Sequence, residues 1–221
     1  MKKLINGILE FRKNVLEDYK ETFARLALNQ TPDTLFIACS DSRVVPNLFA
    51  STNPGDLFVV RNIGNMIPPC EENETSVGAG SVAAALEFSL LNLGVSSIIV
   101  CGHSECGAIK ALINGRENIE PVNLRNWLKF GDPLFDQPKT SLILDEHLSA
   151  VNKLTQSNII LQMEHLKTYP IVQQFLEEKK LTIHGWWFDI TTADVYAFEE
   201  DFQKFILIDE NEAERILTKL K

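Results

Sequence analysis

Apolar residues recur at helical spacing through the first 29 positions. Leu4, Ile5, Ile8, Leu9, Phe11, Val15, Leu16, Tyr19, Phe23, Leu26 and Leu28 stand among charges, which predicts a helical arm over residues 1–30. Gln30-Thr31-Pro32-Asp33 interrupts that pattern, because Pro32 drives Thr31 out of the helical region. Unbroken apolar runs then predict strands at 35–39, 57–60 and 97–101, with a fourth at 181–188 and a candidate edge strand at 205–208. Between them the spacing predicts helices over 75–93, 122–130, 141–153 and 157–179, the last broken near Pro170, and a final helix from about Glu210. Gly94 sits where a helix commonly terminates.

Runs without alternation are what strands buried on both faces look like, and helices between them imply crossovers in a parallel sheet. The fold class is α/β: a mostly parallel central sheet of four strands plus the edge strand, flanked by helices, with the N-terminal arm outside it. No repeat, low-complexity segment or linker asks for a second domain, so residues 1–221 are read as one domain. The arm has enough apolar positions to serve as a dimer contact; packing on its own subunit is the plainer expectation.

Charge narrows the function classes. A net charge of −9 is the wrong sign for binding nucleic acid or an anionic membrane surface. No apolar run reaches the 18 or so residues of a membrane span, and Asn6, Glu10, Arg12 and Lys13 interrupt the N-terminus, so a cytoplasmic protein is expected. Four cysteines are too few for a disulfide framework at this length, leaving core thiols, metal ligands or nucleophiles.

The first strand ends in Cys39-Ser40-Asp41-Ser42-Arg43 and the third in Cys101-Gly102-His103-Ser104-Glu105-Cys106-Gly107. Ligands of open parallel sheets bind outside the carboxyl ends of strands whose connections part to opposite faces, so strands one and three are expected to be neighbours. A metal would bring Cys39, His103 and Cys106 together there. Two thiolates and an imidazole suit zinc better than magnesium or calcium, and three protein ligands leave the open position of a catalytic site. Ser104 is expected to cap a helix starting near Glu105, placing Cys106 in its first turn, where backbone dipoles favour a thiolate. Asp41 would accept a hydrogen bond from the group at the open position, with Arg43 fixing its carboxylate by a two-pronged contact. Released from Arg43, Asp41 could itself occupy that position and close the site.

With those residues set out, Cys-Ser-Asp-Ser-Arg followed by His-Ser-x-Cys-Gly resembles a β-class carbonic anhydrase. The resemblance continues through Pro54-Gly55-Asp56-Leu57-Phe58-Val59-Val60-Arg61-Asn62, Glu87-Phe88 and Tyr169-Pro170. It implies reversible hydration of carbon dioxide to bicarbonate and a proton, one zinc per subunit, and a dimer or higher assembly of dimers. It also implies Cys39, His103 and Cys106 as zinc ligands, with Asp41 and Arg43 as the catalytic pair. Gln30, Phe58, Phe88 and Gly107 match positions that line or contact the substrate pocket. A bicarbonate-regulated subgroup carries Trp, Arg and Tyr where this chain has Phe36, Arg61 and Phe188, so the resemblance favours the plant-like open form, with water or hydroxide as fourth ligand.

Rival readings keep the same residues. A carbonyl sulfide or carbon disulfide hydrolase would differ only in its pocket. A non-catalytic zinc-binding protein would be expected to lack Asp41 or Arg43, and a cysteine nucleophile paired with His103 would leave its thiol open to alkylation. Cys101 reads as a core thiol and Cys70 as a loop residue, while His147, His165 and His184 read as surface or core residues. Gly78-x-Gly80-x-x-Ala83 mimics a dinucleotide fingerprint, but it follows an acidic stretch rather than a strand.

Overall fold

The computed structural model describes residues 1–71, 80–136 and 142–219. Strands β1 (Thr34–Cys39), β2 (Leu57–Asn62), β3 (Ser97–His103), β4 (Thr182–Phe188), β5 (Val195–Glu199) and β6 (Lys204–Leu207) form one sheet in the order β2-β1-β3-β4-β5-β6. The first four run parallel, and β5 and β6 are added antiparallel. β1 is buried at every position after its first, which is why it reads as the unbroken run Leu35-Phe36-Ile37-Ala38-Cys39. β1 and β3 are neighbours, as expected, with Ala38 opposite Cys101. From β1 the chain steps to β2 on one side and then returns past β1 to β3 on the other. The carboxyl ends of β1 and β3 therefore flank a topological switch point.

Helices α1 (Lys2–Asn14) and α2 (Leu16–Leu26) form the N-terminal arm. Short α3 (Pro46–Phe49) follows β1, and α4 (Gly80–Glu87) runs into a wider π turn that ends at Gly94, whose left-handed φ of 68° closes the helix. Then come α5 (Gly107–Ile113), α6 (Val122–Leu128), α7 (Ala150–Leu166), α8 (Pro170–Glu177) and α9 (Glu210–Lys219). α7 lies across β3 and β4. It gets close because both strands carry a glycine beneath it: a Cβ on Gly102 or on Gly185 would stand 2.8 Å from the Ile159 side chain. One apolar core fills the space between the sheet and α4, α7 and α8, around Leu35, Ile37, Leu86, Ile98, Val100 and Ile159. The other face is covered around Phe36, Ala38, Val44, Ile99, Cys101 and Phe188.

Two expectations are corrected. β5 is a further strand that was not expected, although Val195-Tyr196-Ala197-Phe198 is itself an apolar run; Ala197 and Glu199 are buried while Val195, Tyr196 and Phe198 are only partly so. The two helices expected at 141–153 and 157–179 are instead α7, continuous from Ala150, and α8, which begins at Pro170; position 141 lies outside the described residues. The start of the helix expected at 75–93, and Gly78 of the fingerprint mimic, also lie outside them. The arm packs least: no residue of α1 or α2 is buried. Among the described residues no helix is long and apolar enough to cross a membrane.

Candidate metal centre

Cys39 ends β1, His103 ends β3, and Cys106 stands at the N-cap of α5. One ligand atom from each, two sulfurs and a ring nitrogen, lies within 4.8 Å of the others. All three residues are buried, His103 completely. His103 Nδ1 donates to the Ser104 carbonyl at 2.8 Å, which leaves the Nε2 lone pair facing the sulfurs. That buried Nε2 has no hydrogen-bond partner among the described residues. A buried acceptor without a donor is costly unless something else binds it.

The sulfurs carry the same message. The Cys106 thiol and the backbone N–H groups of Asp41 and Gly64 point at Cys39 and pull its thiol well down against the effect of burial. Cys106 is pushed up, foremost by its bond to the Cys39 sulfur and then by burial. Two cysteine sulfurs with one imidazole are a donor set that fits zinc.

The loop carrying His103 and Cys106 is held differently from expectation. Ser104 caps no helix: its hydroxyl donates to Asp189 Oδ1 at 3.0 Å and accepts the Ile190 N–H at 2.9 Å. Glu105 takes a left-handed φ of 56°, and its N–H donates to Asn152 Oδ1 on α7 at 2.8 Å. The turn moves the helix start to Gly107, so the N–H groups of Ala108 and Ile109 face the Cys106 sulfur and favour its thiolate. The expected dipole effect survives, through another residue arrangement.

Asp41 and Arg43 meet as expected. Arg43 Nε and Nη2 donate to the two carboxylate oxygens at 2.9 and 2.8 Å, and the Arg43 N–H adds a third bond at 3.0 Å. These bonds hold the Asp41 carboxyl far below the usual carboxylate range. Its Oδ2 stands 3.9 Å from His103 Nε2. Arg61 grips the carbonyls of Cys39 and Asp41 with bonds of 2.6–3.0 Å, fixing the backbone that presents both. Phe36 and Phe188 lie apart from it in an aromatic cluster with Phe49 and Trp186.

Cys39, Ser40 and Asp41 open onto a cavity of about 310 Å³ whose other walls are Ile63, Gly107, Ala108, Ala111, Leu124 and Leu128. A larger cavity of about 380 Å³ lies at the amino-terminal end of β4, but its charged groups, such as Lys219 with Glu199 and Asp201, already satisfy one another. The chemistry is in the smaller one. Within one chain the structure thus gathers Cys39, Asp41, Arg43, His103, Cys106 and Gly107. It does not bring Gln30, Phe58 or Phe88 to them. Phe58 pairs with Leu35 while Cys39 pairs with Asn62, a separation of four residues or ~13 Å along the strands. Phe58 meets Phe88 at 5.7 Å between ring centres, and Gln30 borders a surface hollow with Phe23, Leu26 and Pro54. Asn152, Asp189 and the grip of Arg61 escaped the reading of the sequence; a polar residue recurring through the buried face of α7 was the available signal.

Fold and site together define an α/β protein with a buried cysteine–histidine–cysteine centre beside an arginine-held carboxylate. Residues 34–195 match the sequence model of the family described as carbonic anhydrase, and the chain belongs to that family. A carbonic anhydrase of Helicobacter pylori (strain J99) is 36% identical over 214 residues, 95% of this chain and 96% of that protein. One from Synechocystis is 37% identical over 212 residues, 93% of this chain and 74% of that protein. Among solved structures, the β-carbonic anhydrase CcaA superposes with a TM-score of 0.81 at 35% identity, covering 94% of this chain and 98% of that one. A structure from Sordaria macrospora described as a tetrameric β-carbonic anhydrase superposes with a TM-score of 0.68 at 26% identity, covering 89% and 95%. The class is therefore β.

Proposed function

We propose that the chain holds one zinc ion through Cys39, His103 and Cys106 and catalyses the reversible hydration of carbon dioxide to bicarbonate and a proton. The observation that carries this is the unpartnered Nε2 of buried His103 facing two sulfurs, next to a carboxylate fixed by Arg43. Zinc bound there lowers the pKa of water toward neutrality. Asp41, kept ionised by Arg43, is an acceptor only. Its Oδ2 takes a hydrogen bond from the attacking water and turns an oxygen lone pair toward the substrate carbon. Ile63, Ala108, Ala111, Leu124 and Leu128 give carbon dioxide an apolar wall. Bicarbonate, being charged, gains less from that wall and leaves. The three bonds from Arg43 to Asp41 support the open form, since they hold the carboxylate away from the ligand role. The buried thiols of Cys39, Cys101 and Cys106 suit a reducing cytoplasm.

The arm supports self-association. Leu4, Ile5, Ile8 and Leu9 are each at least half exposed, and covering such a side chain contributes about 1.5–3 kcal/mol. A homodimer, or an assembly of dimers, gives α1 and α2 the partner they lack. Substrate contact by Gln30, Phe58 and Phe88 would then be made across that interface, since within one chain they lie away from the Cys39–Asp41 cavity. Hydration rates of zinc-replete Asp41→Ala test the reading: zinc should stay bound while most hydration is lost, and full activity would refute the assigned role. Carbonyl sulfide and carbon disulfide offered in parallel should turn over far more slowly than carbon dioxide.

A further inference from the structure

The segment from Asn62 to Ile67, beside the Cys39 sulfur, is held by side chains at Ile63, Gly64, Met66 and Ile67. The Asn62 amide clasps Met66, donating to its carbonyl at 2.9 Å and accepting its N–H at 2.8 Å. Trp127 Nε1, on α6, donates to the Ile63 carbonyl at 2.8 Å. Asn158 Nδ2, on α7, donates to the Gly64 carbonyl at 3.0 Å. Asn158 is itself turned by Gln162, whose Nε2 donates to its Oδ1 at 2.9 Å and whose Oε1 accepts the Ile67 N–H at 2.6 Å. Both amide side chains are buried, a placement that costs stability unless each finds its partners.

The group these bonds leave pointing inward is the Gly64 N–H, which donates to Cys39 Sγ at 3.4 Å. Ile63 C=O and Gly64 N–H belong to one peptide unit and point in opposite directions. A donor on the oxygen therefore fixes the plane of the unit and polarises the N–H toward the sulfur. Asn158 holds the next peptide, across the left-handed Gly64 (φ 78°). A Cβ at residue 64 would meet Ala108 at 3.0 Å, so the segment sits tight against α5 as well.

We propose that Trp127 and Asn158 are positioning residues for the metal centre: they hold the Gly64 peptide from both sides and aim its N–H at the Cys39 sulfur. The inference rests on the zinc reading. The N–H draws charge from the thiolate and fixes the direction of its lone pairs, so it governs how strongly Cys39 donates to the metal.

Cobalt substitution reads this directly, through the thiolate-to-metal charge-transfer band and through chelator competition for the metal. Trp127→Phe keeps a ring and removes the donor; Asn158→Leu keeps the volume and removes the amide. Both should move the band to longer wavelength, because the sulfur lone pairs rise in energy without the N–H, and weaken the metal about tenfold. Trp187→Phe is the control, since it loses an indole bond of the same length, from Nε1 to Thr155 Oγ1 at 2.8 Å and more deeply buried than that of Trp127, without touching the segment; its band and affinity should be those of the unaltered protein. The unaltered protein loaded with cadmium-113 should also show scalar coupling between the metal and the Gly64 amide proton, a measurement that needs no variant to fold. Variants that load with an unchanged band and affinity, a control that shifts equally, or a missing coupling would each overturn the proposal and leave the zinc reading standing. Failure of the unaltered protein to bind cobalt would overturn both.

Discussion

The two ends of this molecule are built on opposite principles. At the carboxyl ends of β1 and β3, His103 and Ser104 are buried and each loop is tied to another part of the chain: Ser104 to Asp189, Glu105 to Asn152 and the Cys39 carbonyl to Arg61, with Asp41 held inside its own loop by Arg43. In the arm, 13 residues of α1 and 11 of α2 include none that is buried. The cysteine–histidine–cysteine cluster is thus gathered within one chain. The arm has an apolar face that the described residues leave uncovered. Positioning at the one end is intramolecular; covering the other falls to the second copy proposed above.

The contrast breaks most sharply at the ligands. Cys106→Ala or His103→Leu should release zinc and reduce carbon dioxide hydration by more than about a thousandfold, while sedimentation shows the oligomer little changed. Retained zinc at full stoichiometry would remove these residues from the ligand set. Next in size, Asp41→Ala should keep zinc and lower hydration by about a hundredfold, which separates holding the metal from orienting the reacting water. In the arm, charge set into the apolar face probes the other end: Ile5→Glu with Leu9→Glu should shift sedimentation toward the monomer and leave zinc content unchanged. An assembly indifferent to both substitutions would place the interface elsewhere.

The smallest effect concerns stability. Burial pushes His165 below its ordinary value of 6.5, more than the Ile67 carbonyl and Glu164 push it up. As pH falls below that value the unfolded chain takes up a proton that the folded chain resists, so stability present above about 6.5 declines toward acid. His184 is lowered in the same way. Urea titrations at pH 7 and pH 5 should show a smaller drop for His165→Gln than for the parent, by less than about 1 kcal/mol. An equal drop would mean that His165 contributes nothing to it.

What could be read from the chain follows the same division. The central strands β1 and β3 were legible because burial on both faces writes an unbroken apolar run, and the reacting residues because they cluster at the ends of those two strands. β5 was not, although its first four residues are apolar: it is only five residues long, with Asp194 before it and Glu199 closing it. Nor were Asn158 and Gln162, whose partners at Gly64 and Ile67 lie more than 90 residues away in the chain. A hydrogen bond of that span leaves no local pattern, and amides on a helix read equally well as a solvated face. Gln30, Phe58 and Phe88 were found by resemblance alone, and the structure shows why spacing could not supply them: their distance from Cys39 within one chain gives no reason to group them.

The most direct test is metal content measured alongside carbon dioxide hydration, before and after chelation. The expected result is one zinc per chain, activity that disappears as the zinc is withdrawn and activity that returns in proportion as it is restored. Hydration at an undiminished rate in the fully metal-free protein would contradict the role given to Cys39, His103 and Cys106.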